Sequence, residues 1–576
     1  MASSSKAGAR GLLRTPKRQA NVFTHRATGQ QAATLPSRLP NLLWPGPERQ
    51  SVRLGTAAAG DLALDRVAHA ISPAGRYERP IREILYEMCT DAAVIRYRQD
   101  VLQDLIEGPE LAVALRALLP SLADLAPGGG KGWKGDSPLM VVLERLAELE
   151  SYVACVDRLC TVLANTSGIR ADGLVALRQA VAALAQDAEV SALRTELPAL
   201  NELIAETTSV TIGLNLGAGL QPESVTITSL NRYQFKGARS LLGRLLPGSV
   251  GAFGKTPMRE VGPVNLRRGS QLFKDLFALL DSAAAPLSRA LDKYRDINVG
   301  PLIALEGDLA YYTGAASLAE RVRSAGIATC RPEIARLDQR LFEVKDLANL
   351  ALGLQLIDGP GGLVPNDVHF ADEGRLLILT GPNRGGKTTY CRAIGQAQVL
   401  CQGGLFVPGV RAHISPCDGI WTHFPLPETD QPGAGRLDEE VQRLRGIFDN
   451  ATAHSLILLN EPLTSTAERG ALHIATDIVR ALQVLGARVL LVTHLHDLAQ
   501  AIPELNASGS AYGKLRGLVA EAVEEGDTVR GTFRIVPGQS TGRSYAQEIA
   551  RQHGLTFEQL SRMLAERTAR RDEAAS

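Results

Sequence analysis

The chain has 576 residues, more than one core organises when domains commonly hold roughly 100–200 residues, so two to four domains are predicted. Its 45% hydrophobic and 21% charged residues give an ordinary globular balance, and no apolar run is long enough to span a bilayer, so no transmembrane helix is predicted. The net charge of +1 excludes a global basic field, so any nucleic-acid surface must be a local cluster of Lys and Arg. The seven cysteines (Cys89, Cys155, Cys160, Cys330, Cys391, Cys401 and Cys417) form no CxxC pair, and no His cluster has zinc spacing. Free thiols in a reduced, cytoplasmic compartment follow.

Residues 1–57 are read as a basic tail. From Met1 to Pro47 there is no Asp or Glu, while Lys6, Arg10, Arg14, Lys17, Arg18, Arg26 and Arg38 are basic. The composition suits a disordered tail that touches nucleic acid, and equally an organellar transit peptide. Residues 58–340 are mostly helical, with apolar residues at helical spacing over Pro80–Met88, Leu111–Leu125, Leu139–Leu163, Leu174–Leu184 and Leu272–Leu291. Pro127-Gly-Gly-Gly-Lys-Gly breaks this run. Between about 208 and 268, Val210–Leu216 and Val225–Leu230 alternate apolar and polar residues and predict a paired hairpin. The loop that follows, Lys236 to Arg268, is basic and either rests on phosphates or is simply solvated.

From 341 to 555 short β-rich runs alternate with helices, which predicts an α/β domain with a mainly parallel sheet. A C-terminal helix is predicted over 556–576. Leu376–Thr380 reads as a buried strand that runs into Gly381-Pro382-Asn383-Arg384-Gly385-Gly386-Lys387-Thr388, then a helix from Thr389. This is GxxxxGK[ST] in the strand–loop–helix context its chemistry needs. Glycines let backbone N–H groups close around phosphates, and the helix N-terminus adds a positive end. Lys387 reaches the β- and γ-phosphates of ATP, and Thr388 ligates Mg2+.

A second strand, Ser455–Leu459, ends in Asn460-Glu461. Such an edge usually reads Asp-Glu, where the Asp holds the metal and the Glu polarises the attacking water. Here Glu461 is kept and Asn460 stands on the metal side with no charge, which predicts weaker magnesium binding and slower turnover. The turn after it, Pro462 to Glu468, includes Ser465 and resembles the turn that crosses to the partner subunit in ABC-type ATPases. A third strand, Arg488–Thr493, ends at His494, which can contact the γ-phosphate.

Four stretches together resemble the MutS family. They are Thr380–Tyr390, close to TGPNxGGKST-Y; Leu405-Phe-Val-Pro with Ile414 and Cys417–Thr422; Ala451-Thr with Ser455–Glu461 and Thr493-His494; and Phe533–Ser540 with Ser544-Tyr-Ala, Ile549 and Gly554-Leu. Tyr77–Glu83 and Val94–Gln99 carry a weaker likeness to that family's helical core and lever. The resemblance implies an ABC-type P-loop ATPase domain in the C-terminal half, preceded by the mainly α-helical core and lever with a small β insertion. It implies a homodimer in which ATP on one subunit's Gly381–Thr388 loop, with Thr389, is closed by the other's helix start at Gly433, Gly435 and Arg436.

Three departures stand out. The family's mismatch-reading members carry an N-terminal domain with a Phe-x-Glu wedge, and the resemblance implies a member without it. The signature Ser is missing from Gly433–Glu440, where Arg436 or the glycine amides would substitute. Leu363 stands where relatives have an aromatic residue against adenine. The functions implied are a DNA-dependent ATPase clamp on distorted, mismatched or branched DNA in repair or recombination; alternatively a ribosome-remodelling ATPase; alternatively a nucleotide-sensing scaffold with little turnover.

Overall fold

A computed structural model describes residues 39–126, 138–205, 209–216, 222–231, 287–357, 359, 362–425, 435–508, 513–525, 528–538 and 554–573. The basic segment 1–38, the loop 236–268 and residues 272–286 of the helix expected over Leu272–Leu291 lie outside these residues, as does the Ser544–Ile549 part of the tail motif.

The N-terminal half runs β1 (Ser51–Arg53), α1 (Thr56–Asp61), α2 (Leu64–Ile71), α3 (Glu78–Tyr86), β2 (Glu87–Cys89), α4 (Ala92–Glu107), α5 (Pro109–Arg116), α6 (Leu119–Ala123), α7 (Pro138–Asn165), α8 (Asp172–Ala185), α9 (Ala188–Ala205), β3 (Ser209–Leu216), β4 (Pro222–Asn231) and α10 (Gly300–Ser324). β3 and β4 pair antiparallel, as the alternation predicted. α10 is the central rod: Leu302, Leu305, Leu309, Tyr312, Ala315, Ala319 and Val322 are buried on it against α4, α5 and α6. Asp91 caps α4 by accepting a hydrogen bond from the Ala93 amide at 2.7 Å.

Two helix readings are corrected. The helix expected over Leu111–Leu125 is two helices, broken at Ala117-Leu118. Pro120 has no N–H to give the Arg116 carbonyl and its ring would crowd that carbonyl, so it sits instead in the first turn of α6. Met88 lies in β2, not on a helix, because β2 pairs with β1.

For residues 39–57 the structure also corrects the reading of a tail. Leu42, Leu43 and Trp44 are buried in the main core. The Leu42 amide donates to Asp308 Oδ2 at 3.0 Å, and Tyr312 Oη donates to the Leu42 carbonyl at 2.8 Å. Arg98, fully buried, donates to the Leu43 carbonyl and lies 4.3 Å from the Trp44 ring centroid. Basic composition hid these three apolar anchors.

The C-terminal half runs β5 (Glu333–Ile334), β6 (Phe342–Leu347), α11 (Leu350–Leu356), β7 (Asn366–Phe370), β8 (Leu376–Thr380), α12 (Lys387–Gln402), β9 (Arg411–Ile414), β10 (Ile420–His423), α13 (Arg436–Asn450), β11 (Leu456–Asn460), α14 (Glu468–Leu485), β12 (Arg488–Val492), α15 (His496–Gln500), α16 (Ile502–Ser508), β13 (Leu515–Glu525), β14 (Thr528–Pro537) and α17 (Phe557–Glu573). The strands β10-β11-β12-β8-β13-β14 form one sheet in that order, parallel from β10 to β13, with β14 antiparallel at the edge. β8, β11 and β12 are buried at every position, the reason each reads as an unbroken apolar run. A second sheet, β5-β9-β6-β7, was not anticipated. Its β5 lies before residue 341 and pairs with β9, so the two halves share a sheet as well as a core. Among the described residues no helix is long and apolar enough to cross a membrane.

Candidate functional site

Parallel pairing in register brings the carboxyl ends of β8, β11 and β12 to one edge of the sheet. Crevices outside such strand ends are where open α/β sheets bind ligands. Here they carry Gly381, Asn460-Glu461 and Thr493-His494. The Gly381–Thr388 turn leaves β8 with Gly381 at φ 136° and enters α12 with Gly386 at φ 88°. Both are backbone states that a side chain resists, which explains glycine at these two positions. Arg384 takes the left-handed region too, at φ 63°.

Lys387 is buried, and its Nζ donates to the carbonyls of Gly381 (3.0 Å) and Pro382 (2.9 Å). It also stands 3.9 Å from Glu461 Oε1. Burial pulls the Lys387 amine below its usual range, against the pull of the Glu461 carboxylate. Glu461 is held below the usual carboxylate range, first by the hydrogen bond from His494 and then by the charges of His494 and Lys387, with burial opposing. The His494 Nε2–Glu461 Oε1 distance is 2.8 Å, and a carboxylate partner requires the proton on Nε2. Thr388 Oγ1 donates to Asn460 Oδ1 at 3.2 Å. Lysine, carboxylate and imidazole thus form one line across three strand ends, with the hydroxyl–amide pair of Thr388 and Asn460 beside it.

A cavity of about 370 Å³ opens beside this line. Asn383 to Thr389 and Glu461 form one side of it. Leu352, Leu356, Leu363, Val364 and the ring of Phe533 make the apolar remainder. Asn349 caps α11 through the Leu352 amide and donates to the Thr389 carbonyl at 2.9 Å, which ties that wall to the phosphate-loop helix.

The sequence-predicted residues divide. Asn383, Arg384, Gly385, Gly386, Lys387, Thr388, Thr389, Leu363 and Glu461 line the cavity; Gly381 and Pro382 sit behind it as the carbonyl partners of Lys387; Asn460 and His494 touch its lining residues. Ser465 is not brought in: its hydroxyl donates to Glu440 Oε2 on α13 at 2.6 Å. Gly435 is exposed with open space around its Cα, Arg436 begins α13, and Gly433 lies outside the described residues. Among the described residues, Gly435 does not line the cavity.

Phe533, Asn366 and Asn349 were missed. Phe533 lay in a recognised tail motif, which was the available signal. Its ring reaches the cavity because β13 and β14 shift register between Ala520 and Ala522 and Phe533 takes φ 62°.

A glycine-rich turn between a buried parallel strand and a helix, with lysine buried in it and a carboxylate at the end of β11, two strands across the sheet, defines an α/β domain with a candidate anion site at its strand ends. Comparison with known proteins narrows the class. The family described as MutS2 N-terminal domain matches residues 90–325, and MutS domain V matches residues 377–566. The chain belongs to the MutS family. It is similar to the DNA mismatch repair protein MutS of Microcystis aeruginosa, 26% identical over 557 residues, 89% of this chain and 59% of that protein. The corresponding MutS of Chlorobium phaeovibrioides is 37% identical over 203 residues, 34% of this chain and 22% of that protein. That of Anaeromyxobacter sp. is 33% identical over 241 residues, 40% and 26% of the two chains. The chain therefore spans between about a fifth and three fifths of the length of these relatives.

Proposed function

We propose that the protein binds and hydrolyses ATP at the Gly381–Thr388 cavity, and that as a homodimer it couples this to holding distorted, mismatched or branched DNA. The observation that supports the ATPase reading is the line Lys387–Glu461–His494 at the strand ends, with Thr388 and Asn460 paired beside it.

The mechanism follows from what each group can do. In the described state Lys387 occupies two loop carbonyls. Phosphate oxygens, carrying full charge, are stronger acceptors and would draw its ammonium into the cavity. At the start of α12 the amides of Gly386 to Thr388 would add donors to the same anion. Thr388 Oγ1 and Asn460 Oδ1 are two adjacent neutral oxygen donors, a set that suits a hard divalent cation retaining several waters. Mg2+ held there would supply charge neutralisation at the terminal phosphates. Glu461, ionised and pinned by His494, is placed to orient and polarise the attacking water. Leu363 and Phe533 offer apolar surface to the base.

The dimer and the DNA role rest on family membership and on the names of the relatives. A site closed by a second subunit fits the position of Gly435, an exposed residue at the start of α13 that does not line the cavity of its own chain. The test is turnover by the full chain with homoduplex, mismatched duplex and four-way junction DNA. Stimulation of several-fold by one of these structures is expected. Equal rates with and without every DNA would remove DNA from the proposal.

A further inference from the structure

The cavity's two apolar walls come from different sheets. Leu363 and Val364 precede β7 of the four-stranded sheet, whereas Phe533 lies on β14, the edge of the six-stranded sheet. β14 is an edge strand with a shifted register, so its ladder alone does not fix how far the ring stands from Leu363. A single side chain bridges the gap. Asn366 Nδ2 donates to the Phe533 carbonyl at 2.9 Å, and Asn366 Oδ1 accepts from the Ile535 amide at 2.6 Å. Nδ2 also reaches the Val364 carbonyl at 3.3 Å, inside the turn that carries Leu363. The backbone partners are one carbonyl and one N–H, so the orientation of the amide is fixed without ambiguity. These bonds bracket the residue held at φ 62°, a conformation uncommon for a bulky side chain and in need of external support. Phe533 in that conformation lies over Gly386, where an added Cβ would be 3.5 Å from its Cδ1. Gly531 is similarly close, its Cβ position 3.3 Å from the Gly385 Cα.

We propose that Asn366 is a positioning residue that fixes the slot between Leu363 and Phe533 at the width of a planar nucleobase, and so governs affinity for the base but not for the phosphates. This rests on the nucleotide reading of the cavity. Asn366 lines the cavity but acts through Phe533, whose ring supplies the stacking face. Aspartate is the informative replacement. It keeps the volume and the acceptor for the Ile535 amide, loses the donor to the Phe533 carbonyl, and sets a negative charge against that carbonyl.

The experiment measures binding of ATP and of inorganic tripolyphosphate to the full chain by calorimetric titration, without magnesium so that nothing turns over. The unmodified protein should bind ATP more tightly than tripolyphosphate. Asn366→Asp should weaken ATP about tenfold, as loss of one hydrogen bond together with a charge set against the Phe533 carbonyl predicts, and leave tripolyphosphate unchanged. Phe533→Ala should do the same, and the double variant should lose no more than either single one. Equal weakening of both ligands, no effect on either, or additive losses in the double variant would overturn the positioning role. ATP binding no tighter than tripolyphosphate in the unmodified protein would remove the base slot itself. Failure to bind either ligand would instead overturn the nucleotide reading of the cavity.

Discussion

At the scale of the residue, the site turns on one amide and one imidazole. Asn460 presents an oxygen to Thr388 with no charge behind it. Asn460→Asp should restore an anionic oxygen there and lower the magnesium concentration for half-maximal turnover by about tenfold, the effect of a single well-placed charge on a hard cation. A magnesium titration of the steady-state rate checks this, and an unchanged half-maximal concentration would show that position 460 does not face the metal. His494 acts on protons. Its hydrogen bond is the first cause of the low Glu461 pKa. A carboxylate with a depressed folded pKa contributes stability that is present above its unfolded value, near 4.5, and lost as pH falls through the folded value. Activity that needs ionised Glu461 should persist down to the same range. His494→Ala removes the donor, so the acid limb of the kcat profile should move to higher pH. A limb that stayed in place would assign it to another group.

At the scale of the element, α12 joins the site to the rest of the molecule. Its N-terminus continues the Gly381–Thr388 turn, and its flank is docked on the helical half. Gln396 Nε2 donates to the Leu62 carbonyl and Arg392 Nε to the Asp61 carbonyl, both at 2.8 Å. Leu62 is fully buried over Gly395, where a Cβ would fall 2.3 Å from its Cδ2. Leu62→Ala should cost roughly 2–5 kcal/mol in a denaturant melt, the range for a buried leucine whose cavity cannot collapse. A loss under about 0.5 kcal/mol, the scale of ordinary surface changes, would mean this contact carries no packing load.

Legibility follows the same physics. Gly381, Gly386 and Lys387 were readable because a phosphate loop dictates residue types at fixed spacing. The apolar strands β8, β11 and β12 were readable because both their faces are covered. Phe533 and Asn366 were not, since they lie 167 residues apart and meet only through a register shift between β13 and β14. The anchors Leu42 to Trp44 were masked by the charge around them, and the break before α6 by an apolar spacing that runs straight through Pro120.

At the scale of the whole molecule, helical half and α/β half are not separate bodies joined by a linker. One apolar core runs from Leu42 through α4, α10 and α12 to β8 and β11. Gln402 at the far end of α12 donates to the Cys89 carbonyl of β2 at 2.8 Å. A change at the Gly381–Thr388 turn therefore has one continuous helix to travel along into the helical half, which is the coupling the proposed clamp requires. Ser465, now paired with Glu440, would have to leave that partner to cross to a second subunit.

In the proposed mechanism Glu461 polarises the water that hydrolyses ATP held on the Gly381–Thr388 turn. The direct measurement is the steady-state ATPase rate of the purified chain beside its Glu461→Ala variant, with ATP binding measured on both. The account predicts turnover in the first, a loss of at least about a hundredfold in the second, in the range for removing a catalytic acid–base group, and ATP binding retained by both. Turnover that survives Glu461→Ala, or no turnover in the unmodified chain under any condition, would contradict it.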